Sequence, residues 1–441
     1  MLQTLSTTRL VNQMNRTITI AEYDRIYAND TFQGVKIAKK DIQELKDFID
    51  ESNSESSSMS DYLRPIRNGV QANQYVGVLQ TKSGLTIEIL PKISRTHPND
   101  EQVRELFIRM LRTVKRIDGK NFGQANLSTY KKPILELFIA MFIAEVDNIL
   151  KRGLKSSYIT KQSNETFLKG KLLLQQQIQY NAINKAKFYT EFDEFEVNGA
   201  ENQLIKTTLS YLLGVSHDPR NQRLMREQLV YFEKVQVTFQ PQMAFQKVSI
   251  KRQFQYYEQA LKWAEIFLKQ KSFTSFKGSS LAFALLFPMD KIFEAYIATK
   301  MKKALPQLKV ETQEQRYFLF DGDDNNKSSY RLRPDAVIRS TLESEQVVIV
   351  DTKWKLLKAD GPSQADLYQM YAYFTRYSHH SESLAKVILL YPKSDDYKET
   401  TFKSLDFSTN RLELGAKIEV RYIDLFSPTI EDQLRSLVAN K

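Results

Sequence analysis

Arg333-Pro-Asp335, the run Gln346-Val-Val-Ile-Val350 and the Asp351-Thr-Lys353 that follows it form the stretch that decides the fold of the C-terminal part. The run is almost entirely apolar, which is typical of a central strand that is buried on both faces. Because side chains alternate along a strand, residues two positions apart point to the same side. The sequence therefore predicts that Asp351 and Lys353 lie together at the end of a central strand.

Residues 330–339 are predicted to form a neighbouring strand that pairs with the first as a hairpin. This pairing would bring Asp335 beside Asp351, so that two carboxylates and one ammonium converge at a sheet edge. Carboxylate oxygens are ligands that Mg²⁺ prefers, and such an ion stabilises charge on a scissile phosphate and lowers the pKa of a bound water. Lys353 would orient that water, help to deprotonate it, or offset negative charge in the transition state. These residue types therefore favour hydrolysis of a phosphodiester.

The alternative for the same residues is an ordinary salt bridge between an exposed aspartate and an exposed lysine at strand ends. Such pairs are common. Three features favour the catalytic interpretation: the Pro-Asp upstream, the apolar strand between the motifs, and a preceding helix that carries Glu294.

The rest of the last third of the chain mixes helices and strands. A helix is predicted over 281–303, interrupted or begun at Pro288, and a second helix over 365–377. Further strands are predicted at 386–391 and 417–422. The order helix, strand, strand, helix, strand is typical of an α/β fold.

The first two thirds of the chain predict two further parts. The β-rich runs Tyr75-Val-Gly-Val-Leu79 and Leu85-Thr-Ile-Glu-Ile-Leu90 predict a hairpin within a small β-rich domain over 1–95. The serine-rich run 51–61 is predicted to be an exposed loop, because it cannot bury enough apolar surface to pack. Over 96–280 the apolar period is near 3.6, which predicts a mostly helical middle section. The chain is thus predicted to be a multidomain α+β and α/β protein with its α/β core at 281–441.

The amino-acid composition limits the kinds of partner and cofactor that this chain can bind. Among 441 residues, 63 Lys and Arg stand against 52 Asp and Glu, so the net charge is +11 and the pI is near 9.3. This balance favours an anionic partner, most often nucleic acid. The lack of cysteine excludes disulfides, thiolate zinc sites, iron–sulfur clusters and cysteine nucleophiles. The most apolar stretch, 134–146, is too short to span a bilayer. We expect a cytoplasmic protein with no membrane partner.

These motifs resemble the PD-(D/E)xK nuclease superfamily, with Asp351 in place of the commoner glutamate. Glu294 is similar to the helical acid that precedes the core in that superfamily, and Gln369 with Tyr373 resembles the Q-x-x-x-Y element of its RecB-like branch. Residues i and i+4 share a helix face, so both can face the site; the alternatives are a helix surface residue for Gln369 and a core aromatic for Tyr373. The resemblance implies that the catalytic residues are Asp335, Asp351, Lys353, Glu294 and Gln369. It also implies a Mg²⁺ ion held by Asp335, Asp351 and Glu294.

A narrower resemblance extends over most of the chain. The segment from Tyr75 to Ile93 is similar to the N-terminal signature of the McrC family, the nuclease subunits of McrBC-type modification-dependent restriction systems. Phe167-Leu-Lys-Gly-Lys171 and Phe192-Asp-Glu-Phe195 are similar to motifs of its middle section, and Asp351-Thr-Lys-Trp-Lys355 to its nuclease core. The motifs occur in the same order as in the family.

This resemblance implies a Mg²⁺-dependent DNA endonuclease that works with an McrB-like hexameric AAA+ GTPase. The partner would bind GTP and recognise modified, methylcytosine-containing double-stranded DNA, and this chain would stimulate GTP hydrolysis, with its N-terminal domain contacting the partner. In agreement, the chain contains no G-x-x-x-x-G-K-[ST] phosphate loop. Two alternatives stay open: a stand-alone RecB-like repair nuclease and a non-catalytic adaptor of an AAA+ motor.

Overall fold

A computed structural model describes residues 16–53, 62–95, 99–114, 132–183, 185–273, 281–322, 329–339, 346–379, 383–393, 399–403 and 417–438. The N-terminal part contains β1 (Thr17–Ala21), β2 (Arg25–Tyr27), β3 (Thr31–Phe32), β4 (Val35–Lys36), α1 (Lys39–Asn53), β5 (Leu63–Ile66), β6 (Gly69–Ala72), β7 (Tyr75–Thr81) and β8 (Thr86–Leu90).

The N-terminal part ends with a short 3₁₀ helix, Lys92–Arg95. The middle section contains α2 (Asp100–Val114), α3 (Ile134–Arg152), β9 (Ser157–Glu165), β10 (Lys171–Leu172), α4 (Leu174–Asn181), β11 (Phe188–Glu196), α5 (Ala200–Val215), α6 (Pro219–Tyr231), α7 (Pro241–Gln246), the 3₁₀ helix Arg252–Tyr257 and α8 (Glu258–Phe273). Helices predominate, as predicted, although β9, β10 and β11 form an antiparallel sheet within the section.

The C-terminal part contains β12 (Leu281–Pro288), α9 (Met289–Ala304), β13 (Lys309–Thr312), β14 (Phe318–Phe320), β15 (Ser329–Arg331), β16 (Ala336–Arg339), β17 (Gln346–Thr352), α10 (Gln364–His379), β18 (Ser383–Pro392), β19 (Thr400–Lys403), β20 (Lys417–Ile423) and α11 (Ile430–Val438). In the described residues no helix is both long and apolar enough to cross a membrane.

The N-terminal hairpin is present as predicted, and a distant strand completes its sheet. β7 and β8 pair antiparallel, β1 pairs parallel with β8, and β12 pairs antiparallel with β7. The prediction of a helix from residue 281 is therefore wrong for 281–288, and α9 begins directly after Pro288. Gly77 allows β7 and β12 to approach closely, because a Cβ at this position would lie 2.0 Å from the carbonyl oxygen of Leu285. The domain boundaries stay predictions, but β12 connects this sheet directly to the helix of Glu294.

The serine-rich run is only partly described. Its first residues, 51–53, complete α1 and are not a loop as predicted. The prediction for 54–61 lies outside the described residues.

The C-terminal sheet has the predicted central strand. Its order is β13-β16-β17-β18-β20-β19 in the part of the chain described. β16 and β17 pair antiparallel, whereas β17, β18 and β20 run parallel. Residues 347–350 of β17 are all buried, because both faces of the sheet are covered. Val348 and Val350 join the core shared with α9 and α11, and Val347 and Ile349 pack in the core under α10. The α/β core predicted for this region is confirmed.

Candidate active site

The two aspartates lie side by side where β16 begins and β17 ends. Ala336 pairs with Val350 in antiparallel register, so Asp335 and Asp351 are the next residues along their strands. Asp335 Oδ2 accepts hydrogen bonds from the backbone N–H of Thr352 at 2.8 Å and from its hydroxyl at 2.7 Å. These bonds hold Asp335 against the end of β17. The predicted placement of Asp335 beside Asp351 is confirmed, although only 336–339 of the predicted strand 330–339 pairs with β17.

Asp351 is a buried carboxylate with incomplete hydrogen bonding. Its residue is 2% exposed, and Lys353 Nζ lies 2.5 Å from its Oδ2 as an ion pair. No hydrogen bond of acceptable geometry reaches that oxygen. Burial, and then the negative charge of Asp335, raise the pKa of the Asp351 carboxyl to about 7, against the lowering effect of Lys353. The site thus contains a desolvated negative charge that one lysine only partly offsets.

Lys353 is oriented from a second side by α10. Its Nζ donates to Gln369 Oε1 at 2.8 Å, and Gln369 Nε2 donates to the hydroxyl of Tyr373 at 2.9 Å. Tyr373 is 2% exposed and belongs to the core under α10; burial raises the pKa of its phenol. Gln369 is therefore connected to the site by its hydrogen bond with Lys353. Tyr373 is a core aromatic residue whose hydroxyl accepts a hydrogen bond from Gln369. The predicted common face of the two residues is confirmed.

Glu294 lies near the aspartates, but the side-chain amide of Gln313 separates it from Asp335. Gln313 Nε2 donates to Glu294 Oε1 and, at 3.3 Å, to Asp335 Oδ1. Lys291 Nζ lies 3.2 Å from Glu294 Oε2. Burial, and then Asp335, raise the pKa of Glu294. The α9 carboxylate is therefore electrostatically part of the site without direct contact to the pair.

Gln313 is a site residue that the sequence analysis did not identify. It follows β13, its φ is +55°, and its N–H donates to the carbonyl of Asp335 at 3.2 Å. A non-glycine residue in the left-handed region is uncommon and is often found at functional sites. A single glutamine outside any motif gave no signal for this position.

The metal prediction can be compared with the donor set. Among the described residues, no group of three or more His, Asp or Glu side chains is arranged to hold a metal ion. The ligand set of Asp335, Asp351 and Glu294 therefore stays a prediction. The adjacent aspartates nevertheless fit a hard cation, because a buried carboxylate oxygen without a directed hydrogen bond is left at Asp351 Oδ2.

Gln369→Ala should slow the phosphodiester hydrolysis predicted for this site about tenfold, since one oriented hydrogen bond contributes on the order of 1–1.5 kcal/mol. The variant leaves Lys353 Nζ with Asp351 as its partner but without its second anchor. Steady-state cleavage rates of the variant and of Tyr371→Ala, on an exposed part of the same helix, measure the effect. Equal rates for Gln369→Ala and wild type would remove Gln369 from the site.

Comparison with solved structures finds two chains with a similar fold. A chain of a half-complex of Thermococcus gammatolerans McrB AAA+ hexamers with bound McrC has 20% sequence identity and a TM-score of 0.70, and the alignment covers 95% of this chain and 98% of that one. A chain of the T. gammatolerans McrBC complex has 21% identity and a TM-score of 0.50, over 66% and 88% of the two chains. These likenesses establish the fold.

The family is established independently of the fold. The model of the McrBC 5-methylcytosine restriction system component matches residues 70–392. This chain therefore belongs to the McrBC component family, which confirms the resemblance found in its motifs. No match is found among curated proteins.

Proposed function

We propose that this chain is the Mg²⁺-dependent DNA endonuclease subunit of a GTP-driven, methylcytosine-directed restriction complex. The observation that carries the proposal is that Asp335, Asp351 and Lys353 lie together where β16 begins and β17 ends. The chain that contains them belongs to the McrBC component family. Carboxylates paired with an ammonium at such an edge suit phosphodiester hydrolysis better than they suit a structural ion pair, because burying the charges costs free energy that the pair recovers only in part.

Asp335 and Asp351 would hold the ion, with Glu294 as the third carboxylate. When bound, Mg²⁺ neutralises charge on the scissile phosphate and makes a bound water acidic. In the protein without the ion, the negative charge of Asp335 adds to burial in raising the pKa of Asp351 and of Glu294. A divalent cation would relieve this repulsion.

Lys353 would act on the phosphate and the attacking water. Its ammonium is held between Asp351 and Gln369, with a side chain only 19% exposed. A preoriented cation in a poorly solvated site stabilises developing negative charge without reorganisation. Gln369 then serves to fix the direction in which the ammonium points.

The DNA would approach through basic side chains beside the carboxylates. Arg333 and Lys355 are both exposed, although Lys355 Nζ also lies 2.7 Å from Asp366 Oδ2. Phosphate contacts by such residues position a duplex without reading its sequence. The net charge of +11 agrees with an anionic substrate.

The partner would be an McrB-like AAA+ GTPase hexamer. The T. gammatolerans structure with the higher TM-score contains McrB AAA+ hexamers with bound McrC, and this chain aligns over nearly its whole length. GTP would be bound by the partner, and this chain would stimulate its hydrolysis.

Cleavage assays on the full chain test the proposal. We expect double-stranded DNA with methylcytosine to be cut only when the chain, the AAA+ partner, GTP and Mg²⁺ are all present, and unmodified DNA to be left intact. Cleavage by the chain alone would instead support a stand-alone repair nuclease. GTPase stimulation without any cleavage would support a non-catalytic adaptor.

A further inference from the structure

A buried lysine of the N-terminal part reaches the nuclease motif. Lys92, in the 3₁₀ helix after β8, is 8% exposed, and its Nζ donates to the carbonyl oxygen of Trp354 at 2.5 Å. Trp354 is the residue directly after Lys353. The hydrogen bond therefore joins two segments 262 positions apart in the chain at the end of β17.

The indole of Trp354 is held by a second residue of the N-terminal part. Glu22 follows β1 and is 0% exposed. Its Oε2 accepts from the Trp354 ring N–H at 2.9 Å and from the backbone N–H of Lys92 at 2.8 Å. Lys92 Nζ also lies 5.5 Å from the centre of the Trp354 ring system. Trp354 thus forms one hydrogen bond with Lys92 through its carbonyl oxygen and another with Glu22 through its indole N–H.

Stability alone does not explain this arrangement. Burying an ammonium and a carboxylate removes both groups from water at a cost in free energy, and well-packed apolar residues of similar size are often at least as stabilising. What two buried groups with directed hydrogen bonds supply is a defined geometry. Here that geometry is imposed on one residue, Trp354.

Trp354 is placed to transmit this geometry to the candidate active site. Immediately before it, the N–H of Lys353 donates to the carbonyl of Leu390 at 2.9 Å, and immediately after it the chain turns, with the Lys355 N–H 2.8 Å from the Lys353 carbonyl. The Trp354 ring lies 5.3 Å from that of Phe293, which directly precedes Glu294 on α9. A shift of Trp354 would therefore move the Lys353 backbone and the packing of the Glu294 helix together.

We propose that Glu22 and Lys92 are positioning residues of the nuclease site, acting through Trp354 on Lys353. The inference rests on the proposed nuclease function and extends it, because it makes the N-terminal β-rich part a component of the catalytic geometry. Neither residue contacts Asp335, Asp351 or Glu294 among the contacts described above. Their effect is on the rate of the chemical step and not on DNA binding.

Lys92→Met and Glu22→Gln in the full chain, assayed with the AAA+ partner, test this proposal. We expect kcat for DNA cleavage to fall about 10- to 100-fold, because displacements near 1 Å at a reacting group cost up to about 10²-fold, while KM for DNA stays unchanged. Lys92→Arg should restore part of kcat, since a guanidinium can still donate to the Trp354 carbonyl. The matched control is Lys155→Met, which removes a poorly exposed ammonium that pairs with Glu201 at 2.6 Å, away from the site.

Trp354 fluorescence gives a readout that does not depend on cleavage. The chain contains two tryptophans, Trp263 and Trp354, so Trp263→Phe leaves Trp354 as the sole tryptophan, which can be excited selectively over the tyrosines. Adding Lys92→Met or Glu22→Gln should shift its emission to longer wavelength and make it more accessible to acrylamide. If either charge variant fails to fold, Trp354→Phe still removes the Glu22 bond alone and should lower kcat with KM unchanged.

Two results would overturn the proposal. One is wild-type kcat in folded Lys92→Met and Trp354→Phe; the other is a KM increase with unchanged kcat, which would make Lys92 a DNA contact. If the wild-type chain cuts no DNA, the proposed function fails separately. In that event, acrylamide quenching of Trp354 that is unchanged in Lys92→Met would also refute the proposal that Lys92 holds Trp354 in position.

Discussion

Asp351→Ala and Lys353→Ala should each lower DNA cleavage by about 10²- to 10³-fold, the scale observed when a group that stabilises transition-state charge is removed. Stimulation of the partner's GTP hydrolysis should remain at the wild-type level. Asp351 is the buried carboxylate and Lys353 the ammonium 2.5 Å from it, so either change dismantles the charged centre while leaving the rest of the surface intact. Gel-based cleavage and phosphate-release assays on the same preparations measure both activities.

Lys309→Ala is a suitable control for the lysine change. Its ammonium is exposed and pairs with Glu311 on β13, at an edge of the same sheet. It should leave both activities unchanged. Cleavage at the wild-type rate by Asp351→Ala would eliminate the proposed site, and loss of GTPase stimulation along with cleavage would point to misfolding or to a partner contact at this edge.

Asp351→Asn should stabilise the metal-free protein at pH 8 while abolishing cleavage. The folded-state pKa of Asp351 is raised to about 7 from an ordinary 3.8, first by burial and then by Asp335. Between these values the folded state binds more protons than the unfolded state, so the free energy of unfolding falls as pH rises. Above pH 7 the ionised carboxylate of Asp351 lowers the free energy of unfolding, and replacing it with a neutral asparagine removes this destabilisation.

The expected size of this effect is a rise in Tm of several degrees at pH 8 and little change below pH 4. One pKa unit corresponds to about 1.4 kcal/mol, and 1 kcal/mol to about 2–4 °C for a domain of 150–250 residues. Thermal unfolding from pH 4 to pH 8, in the presence of a chelator, measures it. Added Mg²⁺ should raise the Tm of the wild type but not that of Asp351→Asn, because ligand binding to the folded state stabilises it.

Asp366→Asn provides a control of opposite sign. Burial works to raise the pKa of Asp366, but hydrogen bonds from Lys355 and Ser363 outweigh it and lower the pKa below the usual value. Its ionised form therefore contributes stability that is present above pH 4 and lost as pH falls. Asp366→Asn should lower Tm at pH 8. A lower Tm for Asp351→Asn as well would show that Asp351 serves mainly as the structural partner of Lys353.

Much of the fold followed from local patterns. The apolar run of β17 predicted a doubly buried strand, and the β7–β8 turn predicted a hairpin, because both signals lie within a few neighbouring residues. The Gln369–Tyr373 spacing likewise predicted a shared helix face. The segment 281–288 was mispredicted, since an apolar run of that length fits a buried strand and a buried helix equally well. Only its pairing with β7 decides between them.

The candidate site divides in the same way. By itself the sequence predicted the two aspartates and the lysine from strand geometry, and its resemblance to the nuclease superfamily predicted the helical glutamate and the glutamine. The tertiary structure alone decided that Gln313 separates Glu294 from Asp335, and that Lys92 and Glu22 grip Trp354. These contacts join residues far apart in the chain. No local period records them, because they exist only once the sheets have packed and excluded water from the charged groups.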